Sequence, residues 1–222
     1  MTLRKNMIHS LAAVLFLMTA GAGASALAAV VDYVGFGWDT GTIDPSLPGD
    51  ELAMAFVVTN LDDLFEVDLS LTEATIYIDG LISTGEVTDG DDVTTISYTG
   101  GTLSLYADPS FDSDWGVEPA NGTVPSTFVN GELVFEGVFN SFTLVHRPGG
   151  GVFEGFLNGT GGSALDGACT NCAYTFGGTF DNRNAGAQIP AGYDLQIDGI
   201  LDVENAVSTD SISLDAVKSL YR

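Results

Sequence analysis

The amino-acid sequence predicts an all-β fold, an antiparallel β-sandwich or barrel of jelly-roll type with about ten strands and a short C-terminal helix. Three observations lead to this prediction. Large apolar residues alternate with polar residues along most of the chain, as in strands that bury one face. The chain has 28 glycines among 222 residues, and glycine favours turns and disfavours helices. Turn-like segments recur at short intervals, as expected of many short strands.

Alternation defines the predicted strands in chain order. Leu52, Met54 and Phe56 fall on one face of a strand near the start of the chain. The segment 65–71 also alternates, which predicts a half-buried strand with one wet face. The other predicted strands cover residues 30–38, 76–78, 93–98, 102–106, 132–139, 142–146, 152–157, 173–180 and 193–203.

Two glycine-rich segments predict hairpin turns. Gly100-Gly101 stands between two predicted strands, and a Gly-Gly pair accepts the positive φ angles that a type I′ turn requires. Pro148 and the three glycines after it predict a second hairpin between the strands 142–146 and 152–157.

The N-terminus has the pattern of a secretory signal peptide. Two basic residues precede the short apolar stretch 11–20, and small residues follow it. An A-x-A pattern places the cleavage between Ala28 and Ala29, and cleavage after Ala26 is the alternative. The apolar stretch is shorter than the roughly 20 residues that span a bilayer. The sequence therefore predicts a signal peptide over 1–28 and an exported β-domain over 29–204.

The last 18 residues, 205–222, predict a linker and a short helix. Ser213 is a suitable N-cap, and Leu214, Val217 and Leu220 follow at helical spacing. Two functions are open for this segment: it docks on the β-domain, or it is a recognition tail for sorting or for a partner.

Cys169 and Cys172, the only cysteines, form the pattern C-T-N-C. In an exported protein two cysteines predict a disulfide, here one that closes a small turn. A zinc site would need further ligands, and the exported chain contains a single histidine, His146. Ala173 follows the pattern, so the form C-x-x-C-H that attaches haem is not present.

The charge balance excludes two classes of partner. The formal net charge is −24, and removal of the signal peptide leaves four basic residues against 30 acidic ones. Nucleic acids and anionic membranes bind clusters of lysine and arginine, which this chain does not have. An apolar content of 45% nevertheless predicts a folded domain.

An acidic loop is the candidate metal site. Asp108, Asp112 and Asp114 lie within seven residues that also contain Pro109 and Ser110. Calcium binds six to eight oxygen ligands on flexible loops, so these three aspartates are candidate Ca²⁺ ligands. The alternative is a solvated acidic loop, because a chain this acidic brings carboxylates together by composition alone.

The sequence favours binding over catalysis. No G-x-S-x-G surrounds a serine, so the sequence holds no such pattern for nucleophilic catalysis. Glycoside hydrolysis needs two carboxylates. Glu66 and Asp68 resemble the E-x-D start of the catalytic strand in laminarinase-like jelly rolls, but the acid that follows two or three residues later in that pattern is missing here. Glu132 and Glu136 on one strand would be about 13 Å apart, too far for either glycosidase geometry. A carboxylate-dependent glycan hydrolase or lyase is therefore the third-ranked function.

Trp115 is the candidate ligand-binding residue. It lies in the polar stretch D-S-D-W-G, where an exposed indole would stack on the face of a sugar. The alternative is that the ring folds back over the core as a lid.

The stretches 98–109 (YTGGTLSLYADP) and 128–137 (FVNGELVFEG) resemble a pattern in secreted bacterial proteins of the PEP-CTERM type. The resemblance covers about 40 residues of strand and turn. The chain has no Pro-Glu-Pro motif and no terminal apolar helix, which define that family. The resemblance implies an exported surface or matrix protein and no particular chemistry.

Taken together, these patterns predict a protein of the cell surface or extracellular space, with the periplasm as the alternative. Its predicted role is structural, adhesive or in assembly, with stabilisation by Ca²⁺ as a hypothesis. A carbohydrate-binding module is the second-ranked function. The candidate partners are polysaccharide, other surface proteins or a second copy, which the strand 30–38 would bind by pairing with another subunit's sheet. The alternative for that strand is an ordinary place in its own sheet.

Overall fold

A computed structural model describes residues 28–89, 92–115, 126–165, 172–182, 186 and 188–205. Within them, eight antiparallel strands form one closed barrel, in which each strand pairs with the next along the chain and the last pairs with the first. The strands are β1 (Ala28–Asp39), β2 (Glu51–Leu61), β3 (Glu73–Thr88), β4 (Thr94–Asp108), β5 (Glu132–Arg147), β6 (Gly150–Gly161), β7 (Cys172–Asn182) and β8 (Leu195–Asn205). No helix in this part of the chain is long and apolar enough to cross a bilayer.

The all-β prediction is confirmed, and of its two alternatives the structure is the barrel. The connections run up and down between neighbouring strands, so the jelly-roll topology is wrong. The count of about ten strands is also wrong, because two pairs of predicted strands are continuous. Residues 93–98 and 102–106 both belong to β4, and 132–139 and 142–146 both belong to β5. The predicted C-terminal helix lies outside the described residues.

Gly100 and Gly101 form an irregular part of β4, not the predicted hairpin turn. Both have positive φ, 72° and 94°, yet β4 continues through them and Gly100 pairs with Leu81 of β3. A Cβ on Gly101 would lie 2.5 Å from Cδ2 of Leu81. These glycines therefore let β4 pass close to β3 where the strand bends, which requires the same backbone freedom as a turn.

The segment 65–71 is a connection and not the predicted strand. A 3-10 helix, Asp63–Phe65, follows β2, and Glu66 after it has a left-handed φ of 54°. That conformation breaks the extended backbone, so Phe65 is buried in the core while Val67 and Leu69 are only partly buried against it. The other predicted hairpin is confirmed, because Pro148 and Gly149 join β5 to β6.

Strand β1 is a member of its own barrel and offers no edge to another subunit. It pairs with β2 from Val31 to Asp39 and with β8 from Ala28 to Gly37. The hypothesis that it pairs with another subunit's sheet is therefore wrong, since both of its hydrogen-bonding sides are used.

The interior of the barrel is filled by side chains, many of them aromatic. Tyr33 stacks on Phe176 with ring centroids 4.8 Å apart, and Phe56 lies 4.6 Å from Tyr33. All three side chains are fully buried. An eight-stranded barrel has an interior just wide enough for its side chains, so these rings form a packed core.

A second apolar cluster lies on the outer wall of β1, β2 and β3. The buried members are Trp38, Ala53, Ala55, Tyr77, Phe128, Ile189 and Tyr193. Phe128 comes from the β4–β5 connection and Tyr193 from the β7–β8 connection, and Tyr193 meets Trp38 edge to face at 5.5 Å. The two long connections therefore cover one side of the barrel and bury a wall that would otherwise face water.

Gly35 tests how closely the wall is packed. A Cβ at this position would lie 2.1 Å from the Ala55 carbonyl oxygen and 2.8 Å from Cα of Phe56. We expect Gly35→Ala to lower the free energy of unfolding by about 2 kcal/mol or more, because the backbone must move. Urea titration of the parent protein and of the variant measures this change in the free energy of unfolding.

Gly161→Ala is the matched control, since its Cβ would be 3.6 Å from its nearest neighbours on the Glu136 side chain. We expect a change of less than about 1 kcal/mol there. Equal losses in both variants would show that close backbone approach is not the cause.

Candidate functional site

A groove of about 350 Å³ runs along the outer wall of β7, β8 and β1 and ends at Trp115. We call it the Trp115 groove. The side chains that define it are Phe36, Trp115, Thr179, Asp181, Gln196 and Asp198. It combines aromatic surface with amide, hydroxyl and carboxylate groups, which is the composition of a specific small-ligand site.

The strand register aligns the groove residues in two rows across three strands. Asp181 of β7 pairs with Gln196 of β8, which pairs with Phe36 of β1. In the second row, Asp198 pairs with both Thr179 and Val34. Because paired residues share a face of the sheet, the rows present their side chains together to solvent.

Trp115 closes one end of the groove from the β4–β5 connection. Its ring meets Phe36 edge to face at 5.3 Å and lies 5.4 Å from the ring of Phe128. The indole is half-buried, so the expectation of an exposed ring holds only for part of it. Its Nε1 is buried and has no hydrogen-bond acceptor in the described part of the chain. The polar residues that flank Trp115 along the chain gave no sign of this packing, because its ring partners Phe36 and Phe128 are not its sequence neighbours.

The structure separates the three candidate calcium ligands. Oδ1 of Asp108 accepts a hydrogen bond from the backbone N–H of Ser110, and its side chain is buried. Asp112 accepts hydrogen bonds from the Asn130 amide at 3.2 and 3.3 Å. Asp114 lies close enough to Tyr193 to add to the rise in the pKa of that phenol, which burial alone already raises, to about 12 in all.

Among the described residues there is no group of three or more His, Cys, Asp or Glu side chains placed to hold a metal ion. The calcium hypothesis stays a prediction, and binding would need these aspartates to change partners. A thermal midpoint that rises with Ca²⁺ but not with Mg²⁺ at equal ionic strength would support it.

A wider cleft of about 660 Å³ opens at one end of the barrel, where β4 ends and β5 begins. We call it the mouth cleft. Glu66, Asp68, Asp108 and Glu132 line it together with Phe65. The E-x-D pattern thus lies at the barrel mouth beside Glu132 and not on a strand. The sequence did not place these acids together, because Glu66 and Asp68 lie in the β2–β3 connection whereas Asp108 ends β4 and Glu132 begins β5.

Buried polar groups lie inside the opposite end of the barrel. Asp39, Tyr98 and His146 are each less than 7% exposed. Asp39 Oδ2, the Tyr98 hydroxyl and His146 Nε2 have no hydrogen-bond partner among the described residues. Nearby, Ser46 and Ser83 hydroxyls are 2.7 Å apart, and the β1–β2 connection that carries Ser46 closes this end.

Asp39 is the strongly perturbed carboxylate of this end. Burial, together with the nearby carboxylates of Asp50, Asp194 and Glu51, raises its pKa from 3.8 to about 6, against the hydrogen bond from Gly41 that lowers it. That bond, from the Gly41 N–H to Oδ1, is 2.7 Å long. The folded protein therefore binds a proton at Asp39 more tightly than the unfolded chain does.

The other predicted residues lie at strand ends. Cys172 begins β7, and Cys169 lies outside the described residues, so the disulfide stays a prediction. Ala28 and Ala29 are the first residues of β1, and cleavage between them would shorten that strand by one residue. The remainder of the predicted signal peptide lies outside the described residues.

No family model, no curated protein and no solved structure matches this chain. The resemblance to PEP-CTERM proteins therefore stays a prediction, and the site must be interpreted from its own geometry.

Asp39→Asn should change the pH dependence of stability. Because the pKa of Asp39 is raised on folding, its stabilising effect is complete below about pH 4 and is lost as the pH rises through about 6. The variant keeps the acceptor for Gly41 and has no charge to bury. We expect it to be about 1 to 2 kcal/mol more stable than the parent at pH 7.5, and nearly equal at pH 4.

Urea unfolding at the two pH values measures the difference. Asp44→Asn, an exposed carboxylate in the same connection, is the control and should alter neither value by more than about 0.5 kcal/mol. If Asp39→Asn raised the free energy of unfolding equally at both pH values, the raised pKa of Asp39 would be contradicted.

Proposed function

We propose that this protein is an exported adhesive module that binds a neutral glycan in the Trp115 groove. The observation that carries the proposal is the alignment of Asp181, Gln196 and Phe36 in one row, with the indole of Trp115 in edge-to-face contact with Phe36 in the same groove. The predicted signal peptide supports the location outside the cytoplasm.

The chemistry of the groove matches a sugar ring. A pyranose has faces of C–H groups and a rim of hydroxyls, so it needs an apolar surface beside groups that both donate and accept hydrogen bonds. Trp115 and Phe36 supply aromatic surface, and the Gln196 amide both donates and accepts. The carboxylates of Asp181 and Asp198 accept from hydroxyls and give charge-assisted hydrogen bonds.

The charge of the protein favours a neutral ligand. Two carboxylates lie in the groove itself, and the whole chain carries a formal charge of −24. A uronic acid or a sulfated sugar would be repelled by both the local and the overall field.

The barrel wall makes the groove rigid. β8 is hydrogen-bonded to β7 on one side and to β1 on the other, which fixes the spacing of Thr179, Asp198 and Val34. A site that is formed before binding loses little conformational freedom when the ligand enters. Such a site suits an adhesive protein, which holds a ligand without changing it.

Trp115→Ala should reduce glycan binding by about tenfold or more, since tenfold corresponds to about 1.4 kcal/mol. The probes are neutral hexasaccharides of glucose and of N-acetylglucosamine, tested by isothermal titration calorimetry and by tryptophan fluorescence. Gln196→Ala should also weaken binding, because it removes both a donor and an acceptor.

Phe156→Ala is the matched control. Phe156 is an outer-wall aromatic residue with 46% exposure on β6, and it does not line the groove. It should change the affinity by less than about twofold. Equal losses in Trp115→Ala and Phe156→Ala, or binding of acidic polysaccharide in preference to neutral sugar, would contradict the proposal.

A further inference from the structure

The mouth cleft is an acidic site without a basic residue from the described part of the chain. Four carboxylates line it, those of Glu66, Asp68, Asp108 and Glu132. Asp108 is 6% exposed, and its Oδ2 has no hydrogen-bond partner among the described residues. Of the four basic residues in the exported chain, the described part contains only Arg147, which ends β5 at the far end of the barrel.

The cleft also has exposed apolar surface. Phe65 and Val134 line its floor and are buried, while Leu71 at its edge is 69% exposed. A ligand for this site therefore needs a cation beside apolar groups. An apolar segment that carries a basic residue fits this description. A metal ion would use the acidic groups but would leave the apolar surface uncovered.

The chain leaves the barrel at the same end as the cleft. β8 ends at Asn205, which pairs with Cys172 at the start of β7. Its neighbour Glu204 pairs with Ala28 at the start of β1. In an up-and-down barrel these strand ends share one rim with the end of β4 and the start of β5, where the cleft lies.

We propose that the C-terminal segment 206–222 binds in the mouth cleft of its own molecule. The Lys218 ammonium would lie against the cleft carboxylates, and Val217 and Leu220 would cover the apolar surface around Leu71. Lys218 lies thirteen residues beyond Asn205, and an extended chain over thirteen residue steps reaches about 43 Å, enough to cross the barrel mouth.

Charge complementarity supports this occupant. Lys218 and Arg222 are two of only four basic residues in the exported chain, and both lie in the segment that leaves beside the acidic cleft. Burial of apolar side chains would supply most of the affinity, because exposed ion pairs contribute less than about 1 kcal/mol each. The site is independent of the Trp115 groove.

Carbodiimide coupling tests the proposal directly. The reagent joins a carboxylate to a nearby amine as an amide with loss of water, and the reagent itself becomes a urea. Lys218 is the only lysine besides Lys5, which lies in the predicted signal peptide. On the full exported chain we expect a link within the monomer, from Lys218 to Glu66, Asp68, Asp108 or Glu132, identified by peptide mass spectrometry.

Two variants give matched controls. Arg147→Lys, combined with Lys218→Gln, places the single lysine at the opposite end of the barrel and should not couple to the cleft acids. Glu132→Gln with Asp68→Asn should lower the yield of the Lys218 link several-fold, whereas Glu154→Gln on the outer wall should leave it unchanged. The parent yield should also fall several-fold between about 0.01 and 1 M salt, because the Debye length shortens from about 30 to 3 Å.

Three results would overturn the proposal. In the first, Lys218 couples to acids outside the cleft as often as to those within it. In the second, the reagent gives cross-linked dimers in place of linked monomers, and in the third, Lys218 does not couple at low salt. The glycan titrations report separately on the Trp115 groove, so failure of one proposal leaves the other standing.

Discussion

The pairing of β1 with β8 is the constraint on which the rest of the structure depends. It closes the sheet, so that each of the eight described strands is hydrogen-bonded on both sides and this barrel leaves no edge for another chain. Closure also fixes the interior width, which is why rings such as Tyr33, Phe56 and Phe176 fill it completely. With the interior packed, binding sites can form only on the outer wall and at the two ends.

Closure explains why the candidate sites combine residues from distant parts of the sequence. Phe36 comes from the first strand, and Gln196 comes from the last. They are neighbours only because β1 and β8 pair. The long β4–β5 connection then adds Trp115 to the groove, and Asp108, the last residue of β4, lies at the mouth. The barrel supplies fixed rows of side chains, and its connections supply the groups that complete each site.

The sequence predicted local features well and register poorly. Alternation identified most strands, and Pro148-Gly149 identified a turn, because both signals lie within a few residues. Gly100-Gly101 was misinterpreted, since a close approach to β3 and a tight turn need the same positive φ. The segment 65–71 alternates like a strand, yet only Phe65 is fully buried, and Val67 and Leu69 pack against the core from a connection. The Trp115 groove and the mouth cleft were not predictable, because both depend on pairings between residues far apart in the chain.

The distribution of charge connects the ends of the barrel with its wall. An apolar interior excludes ionised groups, so carboxylates lie at the ends and on the outer wall of the barrel, and the burial of Asp39 at one end raises its pKa. Because the chain has so few basic residues, most of these carboxylates cannot be neutralised by salt bridges within the barrel. Their mutual repulsion is reduced by protonation, which at Asp39 occurs below about pH 6, or by a cation that enters from outside the barrel. In the arrangement proposed above, the segment 206–222 with its two basic residues would provide such a cation at the mouth cleft, whereas the Trp115 groove would keep its acceptors for a neutral sugar.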